Sequence, residues 1–321
     1  METKNITSNI TFIGSGISTS FSIISFLDLI SNETHRNSKI SINIIEKYSE
    51  FNLGIPYGSR SGFSPLLITS LRNFLIEPER SLFIKWLNNN KMWLLEEFEK
   101  EGGVLSKNWL INNEASIKNN EWEDLFIPRR FFGCYIDLKV TNKIKELTKK
   151  GLIDVNFVNG EVVDIEKNKN YYKILLKDYS EIDSKKVILS AGSLPKQNLW
   201  GNKDLIEDKN LMFINNPYKP NLGVVLNKMD DFIRNRASKT TKILIVGANA
   251  SALELIYKIN DFSKEKYTNA HFTFLSTQGK TPDASIDLER QKLFSPSHLN
   301  ELIKNKNLTA KLIAEATYKD L

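Results

Sequence analysis

The chain has 321 residues, 41% apolar and 26% charged. That is the composition of an ordinary globular protein, not of a disordered chain or a membrane bundle, and the length suits two domains. The formal charge of +6 is spread along the sequence, so it is weak support for nucleic-acid binding. One cysteine excludes a disulfide framework and a paired-cysteine zinc site, and three scattered histidines (His35, His271, His298) argue against a multi-histidine metal centre.

No run reaches the roughly 18 apolar residues of a transmembrane helix. Residues 17–30 imitate a targeting segment, but glycines and a β-rich run precede them and Asp28 interrupts them. They read as a helix, not a signal peptide. With no export signal and one thiol, the cytoplasm is the default compartment.

Residues 9–13 form a short strand that runs into Gly14-Ser15-Gly16-Ile17-Ser18-Thr19. A helix to about residue 30, a polar turn at 31–39 and a second strand, 41–46, follow. That strand ends on Glu46. Strand, glycine turn, helix, strand and acid make the order of a βαβ dinucleotide unit. A pyrophosphate sits against backbone N–H groups at a helix N-terminus, where the dipole favours the anion. Side chains at Gly14 and Gly16 would block the turn and the close approach. A carboxylate at Glu46 can accept hydrogen bonds from a ribose. Thr19 stands where the fingerprint has glycine or alanine. An unrelated α/β turn is the plainer reading of the glycines alone.

A helical texture fills residues 60–150. Glu77-Pro78-Glu79 reads as a helix start, with proline in the first turn. Leu82, Phe83, Trp86 and Leu87 recur at helical spacing. Met92, Trp93, Leu95 and Phe98 suggest a second buried helical face, ended by Gly102-Gly103. Pro128 opens another helix that stops at Gly151. Arg129 and Arg130 at its start oppose the helix dipole, which is tolerable if they face an anion or acceptor. A flavin pyrophosphate or its ring carbonyls could supply one; a solvated basic turn is the bland alternative. Cys134 reads as a small buried residue.

After Gly151 the period falls to two. Residues 154–159, 161–167 and 171–178 are three strand candidates, read as an antiparallel meander. A fourth strand, 186–189, closes on Ser190-Ala191-Gly192. A connector with a helix from about 222 to 237 precedes a second βαβ opening: strand 242–246, turn Gly247-Ala248-Asn249-Ala250, helix 251–261 and strand 271–275. Asn249 tolerates a left-handed backbone better than most residues, but its side chain stands where a ligand would approach. Residues 296–321 read as two short helices.

In this order the pieces resemble FAD/NAD(P)-binding flavoproteins with two dinucleotide-binding domains. Urate hydroxylase-like proteins are among them, and N-hydroxylating monooxygenases are more distantly similar. The likeness is carried by Ile13-Gly14-Ser15-Gly16 with Glu46, by Leu53-Gly54-Ile55-Pro56-Tyr57-Gly58, and by Glu77-Pro78-Glu79 with Phe83 to Leu87. Pro128-Arg129-Arg130-Phe131-Phe132-Gly133-Cys134-Tyr135, Val187 to Gly192 and Val246-Gly247-Ala248-Asn249 add to it. The resemblance implies an α/β fold: a Rossmann-like FAD-binding domain over 1–200, with a helical insert at about 60–150 and a β-meander. A connector at 201–240 and a shortened second Rossmann-like unit with a helical tail at 241–321 would follow.

It also implies roles. Gly14, Ser15, Gly16 and Thr19 would hold the FAD pyrophosphate and Glu46 the adenosine ribose, with Ser18 and Lys47 in the same cofactor set. The backbone at Val162 or Val163 would meet the adenine. Ala191 and Gly192 would pass close to the cofactor, and Arg129 and Tyr135 would lie near the flavin side. Gly247 and Asn249 would form the NAD(P)H turn. The group's Leu-Asn-Val-Pro stretch is Leu67-Ile68-Thr69-Ser70 here, and its Ser-Arg-Arg-Gly is Ser276-Thr277-Gln278-Gly279, which argues against NAD(P)H binding. Relatives return to the FAD domain after this point, whereas this chain stops at Leu321; a truncation, a naturally short version and one half of a complex all fit.

The expected function is an FAD-dependent oxidoreductase, a monooxygenase acting on a small molecule with NAD(P)H as hydride donor. The alternative is a non-catalytic FAD- or nucleotide-binding subunit with a degenerate NAD(P) site. A fold-only relic that binds another protein is the third reading. No catalytic residue or metal ligand is assigned, and no nucleic-acid or membrane partner is expected; a protein partner or oligomer could complete the site.

Overall fold

The structure, a computed structural model, describes residues 7–32, 38–192, 210–236, 240–262, 269–281, 295–303, 305 and 307–320. Residues 33–37 of the expected polar turn at 31–39, Ser193 to Pro195 and the start of the connector lie outside these.

Strand β1 (Ile10–Ile13) is buried along its whole length. It runs parallel between β2 (Ile40–Glu46) and β7 (Val187–Leu189), and β3 (Ile153–Asn159) lies beyond β2. The sheet is covered on both faces, so Thr11 and Asn43 are buried along with the apolar residues on either side of them. Helix α1 (Ile17–Asn32) buries Thr19, Ile23, Ile24, Leu27 and Ile30 on one stripe. This is the mixed α/β, Rossmann-like arrangement.

Helices α2 (Gly54–Tyr57), α3 (Leu71–Phe74), α4 (Glu79–Glu101), α5 (Val104–Asn119) and α6 (Arg129–Lys149) form the insert. Pro78 precedes α4 instead of lying in its first turn. The two expected faces belong to one long helix. It buries Phe83, Leu87, Leu94 and Phe98 and turns Leu82, Met92 and Trp93 outward. Helix α5 was not anticipated. The insert's core gathers on Phe132, whose ring lies 5.0 Å from Phe74, 5.3 Å from Phe83 and 5.7 Å from Tyr57. Gly151, at φ +73°, ends the long crossover through α6, and its N–H bonds the Thr148 carbonyl.

The crossover corrects the expected meander. Its first strand, β3, pairs in parallel with β2 from Ile40↔Ile153 to Glu46↔Asn159. The antiparallel meander is β4 (Val162–Lys167), β5 (Tyr172–Leu176) and β6 (Glu181–Ser184). Strand β3 is a half-buried edge strand, so its alternation imitates a meander strand.

Helix α7 (Leu222–Arg234) is capped by Asn221, which accepts from the Val224 N–H at 2.9 Å. Strands β8 (Thr241–Val246) and β9 (Ala270–Leu275) pair in parallel around α8 (Ala250–Phe262), followed by α9 (Ser297–Leu302) and α10 (Ala310–Asp320). Leu222, Val225, Leu226 and Met229 of α7 pack with Ile259 of α8. Leu244, Val246 and Leu275 face outward from this sheet. Among the described residues no helix is long and apolar enough to cross a membrane, and no cluster of ligating side chains could hold a metal ion.

Candidate functional site

The turn after β1 is enclosed by its neighbours. Gly14 has φ +88°, and a Cβ there would lie 2.2 Å from the Ser190 carbonyl oxygen at the end of β7. Its N–H bonds the Ile45 carbonyl, and the Ser190 N–H bonds that of Ile13. Glycine is thus required by conformation and by space. Gly16 differs. A Cβ there would meet only the Gly54 Cα, at 3.9 Å. The protein has room for a side chain at Gly16, and that room opens where a ligand would approach.

Ser15 is fully buried and joins the turn to Glu46. Its N–H and hydroxyl donate to Glu46 Oε2, at 2.8 and 3.1 Å. Glu46 Oε1 accepts from the Tyr48 N–H at 3.2 Å. A carboxylate has about four lone-pair sites, so capacity for a ribose hydroxyl is left. Helix α1 begins at Ile17, and the N–H groups of its first turn have no preceding carbonyl within the helix. Ser18 is exposed there. Thr19 is buried against the sheet, in the packing place of the fingerprint's third glycine.

Asn52 and Gly54 join the turn as well, beyond the residues that the sequence assigns to the cofactor. Asn52, at φ +69°, donates its N–H to Ser15 Oγ (3.1 Å), accepts from Ser20 Oγ at its carbonyl (2.7 Å) and donates Nδ2–H to Asp137 Oδ1 (2.8 Å). Gly54, at φ +64°, brings its backbone against Gly16, and a Cβ on it would lie 3.2 Å from the Gly16 Cα. An asparagine two residues before a glycine was the available signal, since both tolerate positive φ.

Directly after Glu46, Lys47 Nζ donates to Glu161 Oε1 at 2.5 Å. That hydrogen bond lowers the pKa of the half-buried Glu161 carboxyl. Glu161 leads into Val162, and a bulge between Val162 and Asp164 takes the exposed Val163 out of the ladder. Ala191 and Gly192 are exposed directly after Ser190, beside Gly14.

The arginines at the start of α6 are neutralised within the chain. Arg129 makes a bidentate pair with Glu254 of α8, at 2.5 and 2.8 Å. Arg130 donates to Glu50 Oε1 at 2.7 Å and to the Tyr57 carbonyl at 3.0 Å. The Glu254 and Glu50 carboxylates relieve their clash with the dipole. Tyr135 likewise lies in the aromatic core. Its hydroxyl donates to Glu79 at 2.6 Å, and burial raises its pKa. Half-buried Cys134 has its thiol pKa pushed up by burial, as fits an unreactive residue.

The second turn is open. Gly247 has φ +107°, and a Cβ there would meet nothing within 4 Å. Asn249 is not in a left-handed conformation; its Oδ1 accepts from the Ala250 N–H at 2.9 Å. It takes one of the donors a pyrophosphate would use. After β9, Ser276 donates its hydroxyl to the Lys280 carbonyl at 3.4 Å. A groove of about 760 Å³ is lined by Arg72, Lys85, Asn88 and Trp122, away from the residues that the sequence assigns to the cofactor.

Residues 11–194, more than half of the chain, match the FAD-NAD(P)-binding family. The chain belongs to that family. FAD and NAD(P) are its cofactors, and the geometry of the first turn fits the dinucleotide arm of FAD: donors at a helix start, an open approach at Gly16 and an acid on β2. Uncharacterized proteins from Mycobacterium tuberculosis and Mycobacterium bovis are 27% identical over 281 residues, 86% of this chain and 52% of theirs. The chain spans about half the length of these relatives. Among solved structures, the FAD-bound cadaverine monooxygenase of the desferrioxamine pathway from Erwinia amylovora is 15% identical. It matches 99% of this chain and 62% of its own, with a TM-score of 0.49. Thioredoxin reductase from Lactococcus lactis is 12% identical over 90% of this chain and 61% of its own, with a TM-score of 0.39.

Proposed function

We propose that the chain is an FAD-dependent oxidoreductase, a monooxygenase that acts on a small molecule and takes its hydride from NAD(P)H. The observation that carries this reading is the first turn, closed at Gly14 by the Ser190 carbonyl and open at Gly16. Bound FAD would supply the redox chemistry, and the protein would position it and exclude water. The α1 N-terminus and Gly16 would receive the pyrophosphate. Glu46, oriented by the Ser15 N–H and hydroxyl, would accept from the ribose, and the Val163 backbone would face the adenine. Gly247 and Asn249 would meet the nicotinamide dinucleotide. The reading places the protein in the cytoplasm, with a small-molecule substrate.

A second reading, a non-catalytic FAD-binding subunit completed by a partner protein or a further copy, is favoured by one observation. The Asn249 side chain already occupies the Ala250 N–H. Titration with FAD, followed by anaerobic addition of NADPH or NADH, separates the two. Bleaching of the flavin absorbance supports the oxidoreductase. Bound FAD that neither donor reduces, with candidate substrates present, supports the subunit. A colourless protein that takes up no FAD contradicts both.

A further inference from the structure

Helix α8 follows the second glycine turn, and one of its faces is polar and buried. Glu254, Lys258 and Asp261 stand at i, i+4 and i+7, a single stripe of a helix. Lys258 is 5% exposed and Asp261 1%. Each meets a different part of the helical insert. Glu254 pairs with Arg129 at the start of α6, and Tyr218 donates its hydroxyl to the same carboxylate at 3.0 Å. Lys258 reaches Ser64 and lies 3.6 Å from Glu101 at the end of α4. Asp261 accepts from the N–H groups of Gly103 (3.1 Å) and Ser106 (2.9 Å) and from the Ser106 hydroxyl (2.7 Å), capping α5.

The backbones also touch. A Cβ on Gly103 would lie 1.6 Å from the Asp261 carbonyl oxygen, so no side chain fits between α5 and α8. Buried ion pairs are weak evidence for stability, because desolvation offsets much of the attraction. What they do impose is geometry. A bidentate guanidinium–carboxylate pair and a carboxylate on two N–H groups each have one good arrangement. Three such points spread along about 10 Å of helix leave α8 one orientation, where an apolar contact would let it slide.

We propose that α8 is a key that holds the second glycine turn in fixed register with the insert carrying the first cofactor site, with Glu254, Lys258 and Asp261 as positioning residues for hydride transfer. This rests on the oxidoreductase reading. The prediction is that loosening the key separates the nucleotides without removing either.

The test uses the full chain, loaded with FAD, as wild type, Gly103→Ala and Glu254→Gln. Gly103→Ala wedges the interface without altering charge. Two readouts are taken: flavin reduction by NADPH in stopped flow, and hydrogen exchange at the Gly103 and Ser106 amides. The expected result is retained FAD, a limiting reduction rate lower by roughly tenfold, half-saturation by NADPH within about threefold of wild type, and faster exchange at both amides. The exchange of partners in Arg129→Glu with Glu254→Arg restores most of the rate. Unchanged limiting rates in both single variants overturn the proposal, as does faster exchange with an unchanged rate. Should Gly103→Ala fail to fold, Asp261→Asn replaces it. If wild type is not reduced by NADPH or NADH, the oxidoreductase reading fails. Exchange then decides the key by itself: faster at Ser106 in Glu254→Gln supports it, and unchanged overturns it.

Discussion

The two glycine turns share a backbone and differ in their surroundings. Gly14 and Gly247 both have positive φ and both lead from a parallel strand into a helix. A carbonyl lies 2.2 Å from where a Cβ of Gly14 would be, whereas nothing lies within 4 Å of one on Gly247. Ser15 and Asn52 lock the first turn to Glu46 and α6, whereas in the second the Asn249 side chain takes up only the Ala250 N–H. A glycine turn is therefore not one signal. The first is built into four strands and a helical insert, and the second stands at the open end of two strands.

The largest expected effect comes from Gly14→Ala. Both its φ and the Ser190 carbonyl oppose a Cβ, so the turn must open, and FAD uptake and thermal stability should both be lost in absorbance and melting assays. Retained FAD binding would show that the turn is looser than it looks. Glu46→Gln keeps the shape and removes the charge that orders Ser15. The FAD dissociation constant should rise about tenfold, near 1.4 kcal/mol, and an unchanged constant would leave the acid without a role. Gly247→Ala has space but bad φ, so a cost of about 1–3 kcal/mol in denaturant melts is expected, with FAD affinity unaltered. Asn249→Gly should cost only a few tenths of a kcal/mol while freeing the Ala250 N–H. NADPH should then bind more tightly in calorimetry, and weaker binding would make the Asn249 side chain a ligand contact.

The pH dependence of the junction is smaller still. Burial, then Glu254, pushes Tyr218 up to about 12 from its ordinary 10.0. The unfolded chain therefore releases this proton first as pH rises. The stability tied to it is fully present below pH 10 and is lost as pH climbs towards 12. In Tyr218→Phe the melting temperature should fall less steeply over that window. An identical slope would mean that other groups set it.

The first unit was legible because its signals are local. Strand, Gly14, helix and Glu46 follow within one stretch, and β1, α1 and β2 formed within two residues of their expected bounds. What was not legible depends on distant partners. Helix α5 starts at Val104 under a cap from Asp261, far along the chain. The anion for Arg129 is Glu254, also remote in sequence. Strand β3 alternates like a meander strand and joins the parallel sheet only because α6 carries the chain back across it. The room beside Gly16 was equally invisible, since it depends on where Gly54 lies.

That room offers the most direct measurement. A Cβ at Gly16 meets only ordinary contact, 3.9 Å from Gly54, so Gly16→Ala should fold and melt as the wild type does. Its methyl group would stand where the pyrophosphate approaches. FAD titration of the two proteins should show an intact, stable variant whose dissociation constant is higher by at least about tenfold. Equal FAD affinity in Gly16→Ala and wild type, with both folded, would contradict the assignment of the first turn as the cofactor's seat.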